Sequence, residues 1–189
     1  MTTKGEPRGA ADVHVALLRG INLGGRRLPM KALADLFADA GCADVRTYIQ
    51  SGNVVFRADA KLVSRVPALV AKGIARDYGF DVPLVLRTAA ELGAVVRNNP
   101  FLAAKPDPRT LHVSFLADRP SKPSVAALDP GRSPGDEFVV RGSEIYLRLP
   151  NGMARSKLTN QYFDSTLKTT STVRNWNTVL TLLEWARGG

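Results

Sequence analysis

The sequence predicts an α+β protein in which two ferredoxin-like βαββα halves form a compact, two-lobed structure. Short β-branched segments alternate with helical patterns in the order βαββαβ over the first part of the chain. The segment VHVALL (13–18) also matches LHVSFL (111–116) position by position, and the hairpin around Gly52 resembles the hairpin around Gly142. Similar segments in the same element order indicate an ancient duplication.

In the first half, aliphatic and β-branched runs indicate strands, and apolar residues at helical spacing indicate helices. Gly20 ends the first strand, Pro29 opens the first helix, and Ser51-Gly52 joins a hairpin. Pro67 bends the second helix or begins it. The predicted strands are 13–19, 45–50, 53–57 and 82–87, and the predicted helices are 29–41 and 62–78.

The second half begins after a capping-box signature, Thr88-Ala-Ala-Glu91, which opens a helix reaching Arg97. Thr172 is a suitable N-cap for a last helix over 173–187, which places Arg174 in its first turn. The other predicted strands are 111–116, 137–140 and 144–149, and the other helices are 124–128 and 158–167. We therefore expect a flexible tail over 1–12, a lobe over 13–88, a helix and connection over 89–110, and a lobe over 111–189.

Composition limits the class of protein. The chain has 189 residues, 44% of them hydrophobic, which suits a globular protein with its own core. Its single cysteine, Cys42, excludes an internal disulfide and a cysteine metal cluster, so we expect no metal. No apolar run resembles a signal peptide or a membrane span, which predicts a cytoplasmic protein without a membrane partner.

The charge balance is strongly basic. The chain carries 26 Lys and Arg against 17 Asp and Glu, a net charge of +9 that favours anionic partners. Residues 19–31 hold four basic residues and no acid, and residues 148–174 hold five basic residues and one acid. The excess charge is thus concentrated in two stretches, although solubility alone is the alternative explanation.

Catalytic motifs are missing from the sequence. No H-E-x-x-H, Walker, G-x-S-x-G or dinucleotide-binding pattern occurs in its required context. The two histidines, His14 and His112, fall at equivalent places near the starts of predicted strands, which favours a structural role. No catalytic residue is identified, we expect no cofactor, and the sequence argues against an enzyme without excluding one.

Two glycine- and asparagine-rich surfaces are predicted to bind an anion or nucleic acid. The loop after the first strand precedes a helix N-terminus, which suits an anion, and the parallel first and second strands should bring the Gln50–Asn53 hairpin beside it. The second surface is the basic C-terminal stretch, where we expect Arg174 to contact Asp164, another carboxylate at the buried edge, or an anion shared with Arg155 and Lys157. The predicted site residues are Arg19, Asn22, Gly24, Gly25, Arg26, Gln50, Asn53, Arg155, Ser156, Lys157, Arg174 and Asn175.

Several blocks, taken in order, resemble one bacterial family, the domain of unknown function 1697. The blocks are RGINLGG, TYIQSGNVVF, NNPF, RSKLTN and TVRNWNTV, and the resemblance runs from about residue 13 to residue 184. It implies a two-lobed α+β fold with ferredoxin-like elements and brings no established activity, cofactor or catalytic residue. The family pattern often has a glycine after the leucine at Leu167, where this chain has Lys168.

Three functions remain open at this point. The first is a binding protein for a phosphate-bearing partner, including nucleic acid, for which affinity should fall steeply with salt. The second is an enzyme that positions a small phosphorylated substrate with Arg and Asn side chains, which one metabolite should stabilise saturably. The third is an interaction module that forms a homodimer through an open sheet edge and has no small-molecule site.

Overall fold

The computed structural model describes residues 11–189, in which eight β-strands and seven α-helices follow one another. The strands are β1 (Asp12–Leu18), β2 (Ala43–Tyr48), β3 (Asn53–Ala58), β4 (Leu84–Thr88), β5 (Leu111–Leu116), β6 (Glu137–Arg141), β7 (Glu144–Arg148) and β8 (Ser171–Asn175). The helices are α1 (Met30–Asp39), α2 (Ala60–Val63), α3 (Val66–Tyr78), α4 (Ala89–Arg97), α5 (Lys122–Ala126), α6 (Asn160–Leu167) and α7 (Trp176–Ala186).

The strands form two four-stranded antiparallel sheets with the same internal order. The first sheet runs β2-β3-β1-β4 and the second runs β6-β7-β5-β8. The strands β1 and β5, whose sequences match, therefore hold the same central position. β1 lies between β3 and β4, and β5 lies between β7 and β8. This confirms the predicted equivalence of the two segments, and we call the elements around the first sheet the N-terminal lobe and those around the second the C-terminal lobe.

Alternate side chains of the central strands point to different apolar layers, because successive residues of a strand face opposite sides of the sheet. In β1, Ala16 and Leu18 pack against α1 and α3, whereas Val15 and Leu17 join the core shared with the second sheet. The outer face of the second sheet packs against α5 and α6. Helices α4 and α7 lie in the shared core, and α7 contacts strands of both sheets.

The end of the chain differs from the prediction. The predicted helix over 173–187 is in fact strand β8 followed by the shorter helix α7, whose N-cap is Asn175 and not Thr172. The β-branched residues Thr172 and Val173 suit a strand, and β8 pairs along the free edge of β5 from Ser171 to Asn175. Arg174 consequently belongs to a sheet, not to the first turn of a helix.

Other boundaries move less. The helix predicted over 62–78 is divided into α2 and α3, and Pro67 lies in the first turn of α3, where its missing N–H has no intrahelical acceptor to lose. The capping box of Thr88 and Glu91 is present, with both reciprocal hydrogen bonds. Lys168 ends α6 at φ 57°, a left-handed conformation that glycine would adopt more readily.

The predicted flexible tail falls mostly outside the described residues, and Asp12, its last predicted residue, already belongs to β1. Within residues 11–189, none of the helices has the length and apolar character that crossing a membrane requires.

Candidate functional site

The loop after β1 and the hairpin after β2 lie side by side, as the sequence predicted. Asn22 connects them, because its Nδ2 atom donates to the main-chain oxygen of Gln50 at 2.9 Å. The same side chain exchanges hydrogen bonds with the main chain of Leu28 at 2.9 and 3.1 Å. The amide of Asn22 is therefore used to shape the loop, which brings Gln50 beside it.

The tip of this loop presents donors and positive charge. Gly24 and Gly25 adopt φ values of 57° and 90°, and the N–H groups of residues 23–25 have no intramolecular acceptor in the described chain. Arg26 and Arg27 follow, and neither forms an ion pair with a described carboxylate. Consecutive main-chain N–H groups without acceptors, next to positively charged side chains, can bind an anion.

A cleft of about 220 Å³ separates this loop and hairpin from the C-terminal lobe. Residues 18–23, Gln50 and Ser51 line one side, and Asn160 with residues 172–174 line the other. A methyl group placed on Gly20 would lie 3.8 Å from Nη1 of Arg26, so that guanidinium lies beside a residue of the lining. We call this space the Arg174 cleft.

Arg174 is buried in this cleft, with 8% of its surface exposed. Its acceptors are the main-chain oxygens of Leu18, Ser51, Gly52 and Val173, the Oδ1 atom of Asn53 and the Oγ1 atom of Thr172. These bonds occupy all three nitrogens, and every acceptor is neutral. Burial lowers the pKa of this guanidinium to about 10, because the cation loses hydration without gaining a counter-charge.

The expectation that Arg174 pairs with Asp164 is therefore wrong. Asp164 instead pairs with Arg19 of the other lobe, and its second oxygen accepts from the main-chain N–H of Ser171 at 2.8 Å and from the Ser171 hydroxyl at 2.6 Å. An anion shared by Arg174 with Arg155 and Lys157 is also not supported, because the lining of the cleft within residues 11–189 contains neither of them.

The remaining predicted residues have mostly structural contacts. Asn53 is fully buried, and its Nδ2 atom donates to Tyr48 and Ser51 within its own hairpin. Asn175 accepts from the main-chain N–H of Thr178 at 2.9 Å as the cap of α7. The segment 155–157 adjoins another loop, since the main-chain N–H of Lys157 donates to Ser133. The two basic stretches thus meet through residues 160 and 172–174 rather than through residues 155–157.

Arg87 is the counterpart of Arg174 in the other lobe. Arg87 pairs with Val15 across β4 and β1, and Arg174 pairs with Val113 across β8 and β5. Each arginine reaches into the opposite lobe: Arg174 to the end of β1, and Arg87 to the main-chain oxygen of Leu116 at the end of β5, at 2.8 Å. The two contacts are related by the same approximate symmetry that relates the sheets.

The two arginines differ in their charge partner. Arg87 donates from Nε to the Oε1 atom of Glu144 at 2.9 Å, whereas the corresponding acceptor of Arg174 is the neutral Asn53. Glu144 pairs with Phe115 in the second sheet, as Asn53 pairs with Leu17 in the first. Arg87 borders a second space of about 550 Å³, the Arg87 cleft, where Glu144 neutralises it.

The lining of the Arg174 cleft within residues 11–189 contains no His, Cys, Asp or Glu side chain. Within residues 11–189, no three His, Cys, Asp or Glu side chains are placed to hold a metal ion. Cys42 is buried, which raises the pKa of its thiol to about 11, and burial lowers the pKa of His112. Neither side chain lines the Arg174 cleft. The site offers positive charge and hydrogen-bond donors.

The family model for a protein of unknown function (DUF1697) matches residues 12–146. The chain belongs to this family. The match covers the loop, the hairpin, Arg87 and Glu144, and ends before β8. A comparison with curated proteins gave no match.

Among solved structures, the chain is similar to the conserved bacterial protein SP0830 from Streptococcus pneumoniae. The TM-score is 0.65 at 19% sequence identity, over 94% of this chain and 99% of that one. At this identity the similarity establishes a shared fold and no more. The share of this chain covered by the shared fold is larger than the part that the family model matches.

The sequence reasoning missed Arg87 and Glu144. The sheet registers align Arg87 with Arg174 and Glu144 with Asn53. The repeat in the sequence does not reveal this alignment, because the spacing of the elements differs between the halves and matching Gly52 with Gly142 would align Asn53 with Ser143. Arginine in the last strand of each half is then a repeated feature.

Proposed function

We propose that this DUF1697 protein binds a phosphate-bearing anion in the Arg174 cleft, and that it acts as a binding protein and not as an enzyme. We also infer a cytoplasmic protein with ferredoxin-like lobes over 13–88 and 111–189, joined by the helix and connection over 89–110. The common strand order of the two sheets supports the ferredoxin-like assignment.

The observation that carries the binding proposal is the unneutralised charge of Arg174. A buried cation without a counter-charge is costly, and a bound anion would offset that cost. Arg87 can be compared with Arg174 within the same molecule, because it occupies the equivalent place in the other lobe and has Glu144 as its counter-charge. We therefore assign the anion to the Arg174 cleft in preference to the Arg87 cleft.

The loop supports the same assignment. All nitrogens of Arg174 already donate within the protein, so the guanidinium attracts an anion by its charge and does not bind it directly. Direct hydrogen bonds would come from the free N–H group of Leu23, which lines the cleft, and from Arg26, whose guanidinium lies beside Gly20 of the lining. Hydrogen bonds to a charged acceptor contribute about 1.5–3 kcal/mol each, so a few suffice for measurable affinity.

The proposal is tested by titrating the protein with inorganic phosphate, ribose 5-phosphate and a short oligonucleotide while recording the thermal midpoint and the heat of binding. We expect saturable stabilisation by at least one of them. Asn53→Asp supplies the missing counter-charge and should weaken that binding about tenfold, or about 1.4 kcal/mol. Asn151→Asp, on an exposed loop, is the matched control with the same change in net charge and should leave the affinity unchanged.

Asn53→Asp also loses the two hydrogen bonds that Nδ2 donates, so its fold is checked by circular dichroism. Arg26→Ala provides a second test at an exposed position, with the same expected direction. If Asn53→Asp and Asn151→Asp weakened the binding equally, the loss of affinity would be explained by the change in net charge alone. Failure of every probe to stabilise the protein would remove the proposal, and a concentration-dependent dimer would then favour the interaction module.

A further inference from the structure

A second groove lies away from both clefts, between the β2–β3 side of the first sheet and the C-terminal end of α7. Its cavity measures about 460 Å³, within the size range of small-molecule sites. Val13 and Val55 contribute apolar walls, and Arg46, Arg57 and Trp185 contribute charge and an aromatic ring. We call it the Trp185 groove. Trp185 is near the last residue of α7, whereas Arg174 precedes its first residue, so the helix separates the two sites.

In this groove an arginine lies over the ring of Trp185, and a tyrosine outside the lining packs against the same ring. The guanidinium carbon of Arg46 lies 4.1 Å from the centroid of the Trp185 ring. The ring of Tyr48 meets that of Trp185 edge-on, with 5.3 Å between the centroids. Arg46 also donates from Nη1 to the main-chain oxygen of Gly189 at 2.8 Å. The guanidinium is thus oriented before any ligand arrives, which reduces the entropy lost on binding.

The side chains of the groove carry more positive than negative charge. Arg57 is paired with Asp44 at 3.1 Å, whereas Arg46 pairs with no Asp or Glu side chain among residues 11–189 and is held by the oxygen of Gly189. Among side chains alone, two arginines and one aspartate line the groove beside the indole. A flat guanidinium already stacked on an aromatic ring can stack on the flat face of a ligand as well.

We propose that the Trp185 groove binds a nucleotide, whose aromatic base stacks on the Arg46–Trp185 pair and whose phosphate is attracted by Arg46 and Arg57. A free mononucleotide and one unit of a single strand present the same ring and phosphate, so the experiment distinguishes these two sources. This site is separate from the Arg174 cleft, where the described lining contains no aromatic side chain.

The fluorescence of Trp185 reports on this site directly. The chain has two tryptophans, and the other, Trp176, is buried in the shared core. Emission is excited at the red edge of tryptophan absorption, where adenine does not absorb, during titration with AMP, a short oligodeoxyadenylate and ribose 5-phosphate. We expect saturable quenching by the two adenine probes and none by ribose 5-phosphate. Trp185→Phe should abolish the quenching.

Arg46→Lys keeps the charge and removes the flat group, and should weaken AMP binding about tenfold because stacking is lost. Arg26→Ala should leave the quenching unchanged, which separates this site from the Arg174 cleft. Tighter binding of the oligonucleotide than of AMP would identify a strand as the ligand, and equal binding would identify a free nucleotide. Absence of quenching, equal quenching by ribose 5-phosphate, or full affinity in Arg46→Lys would each overturn the proposal.

Discussion

The substitution Glu144→Gln removes the negative charge that faces Arg87 and leaves a side chain of the same size. The two groups are 2.9 Å apart, with 8% of the arginine side chain and 16% of the glutamate side chain exposed. At an effective dielectric constant of about 20, their attraction is about 6 kcal/mol. The carboxylate loses hydration worth several kcal/mol when it is buried, which cancels much of that attraction. We therefore expect the variant to lose about 2 kcal/mol of unfolding free energy.

The measurement is urea denaturation with linear extrapolation, in which the midpoint should fall while the slope stays constant. The matched control is Glu137→Gln in the same hairpin, because Glu137 pairs with Arg148 where both side chains are largely exposed. An exposed pair contributes at most about 1 kcal/mol, and added salt weakens it. If Glu144→Gln proved no more destabilising than Glu137→Gln, the charge difference between the two clefts would have no energetic meaning.

Three further results are expected. Gly52→Ala should destabilise the protein by about 2–4 kcal/mol in the same urea assay, because φ is 74° and the new carbon would lie 2.8 Å from Leu18. The control Gly24→Ala adds its carbon in open space and should cost only about 1 kcal/mol. Ile49 is β-branched and 53% exposed at φ 49°, so Ile49→Asn should raise the thermal midpoint, by about 0.5–1 kcal/mol of stability; an unchanged midpoint would argue against strain there. Burial raises the pKa of the Cys42 thiol to about 11, so folding favours the protonated thiol. This contribution to the stability of the folded protein is lost as the pH rises towards 11. Alkylation of Cys42 in the native protein should accelerate only as the pH approaches 11, because the thiolate is the reactive form.

Much of the fold could be predicted from local patterns. The segment Leu111–Leu116 was predicted to the residue, and the capping box at Thr88 marked the start of α4 correctly. Both depend on interactions within a few residues. The strand β8 could not be recognised in this way, because Thr172 also suits a helix N-cap and its pairing partner β5 lies far away in the sequence.

The candidate site was predictable only in its N-terminal part. The convergence of the loop with the hairpin follows from the topology of parallel first and second strands, and the hydrogen bond from Asn22 to Gln50 confirms it. The partners of Arg174 were not predictable, because they depend on how one lobe packs against the other. Charge alone suggested Asp164 as the partner of Arg174, but in the structure Asp164 pairs with Arg19.

The exchange of arginines between the lobes has the form of an isologous contact. In a homodimer of one such half, a single arginine in the last strand would make both contacts across a twofold axis. Joining two copies in one polypeptide frees each acceptor to change by itself. One side of the axis here holds the carboxylate of Glu144 and the other the amide of Asn53, an asymmetry that no dimer of identical halves could encode.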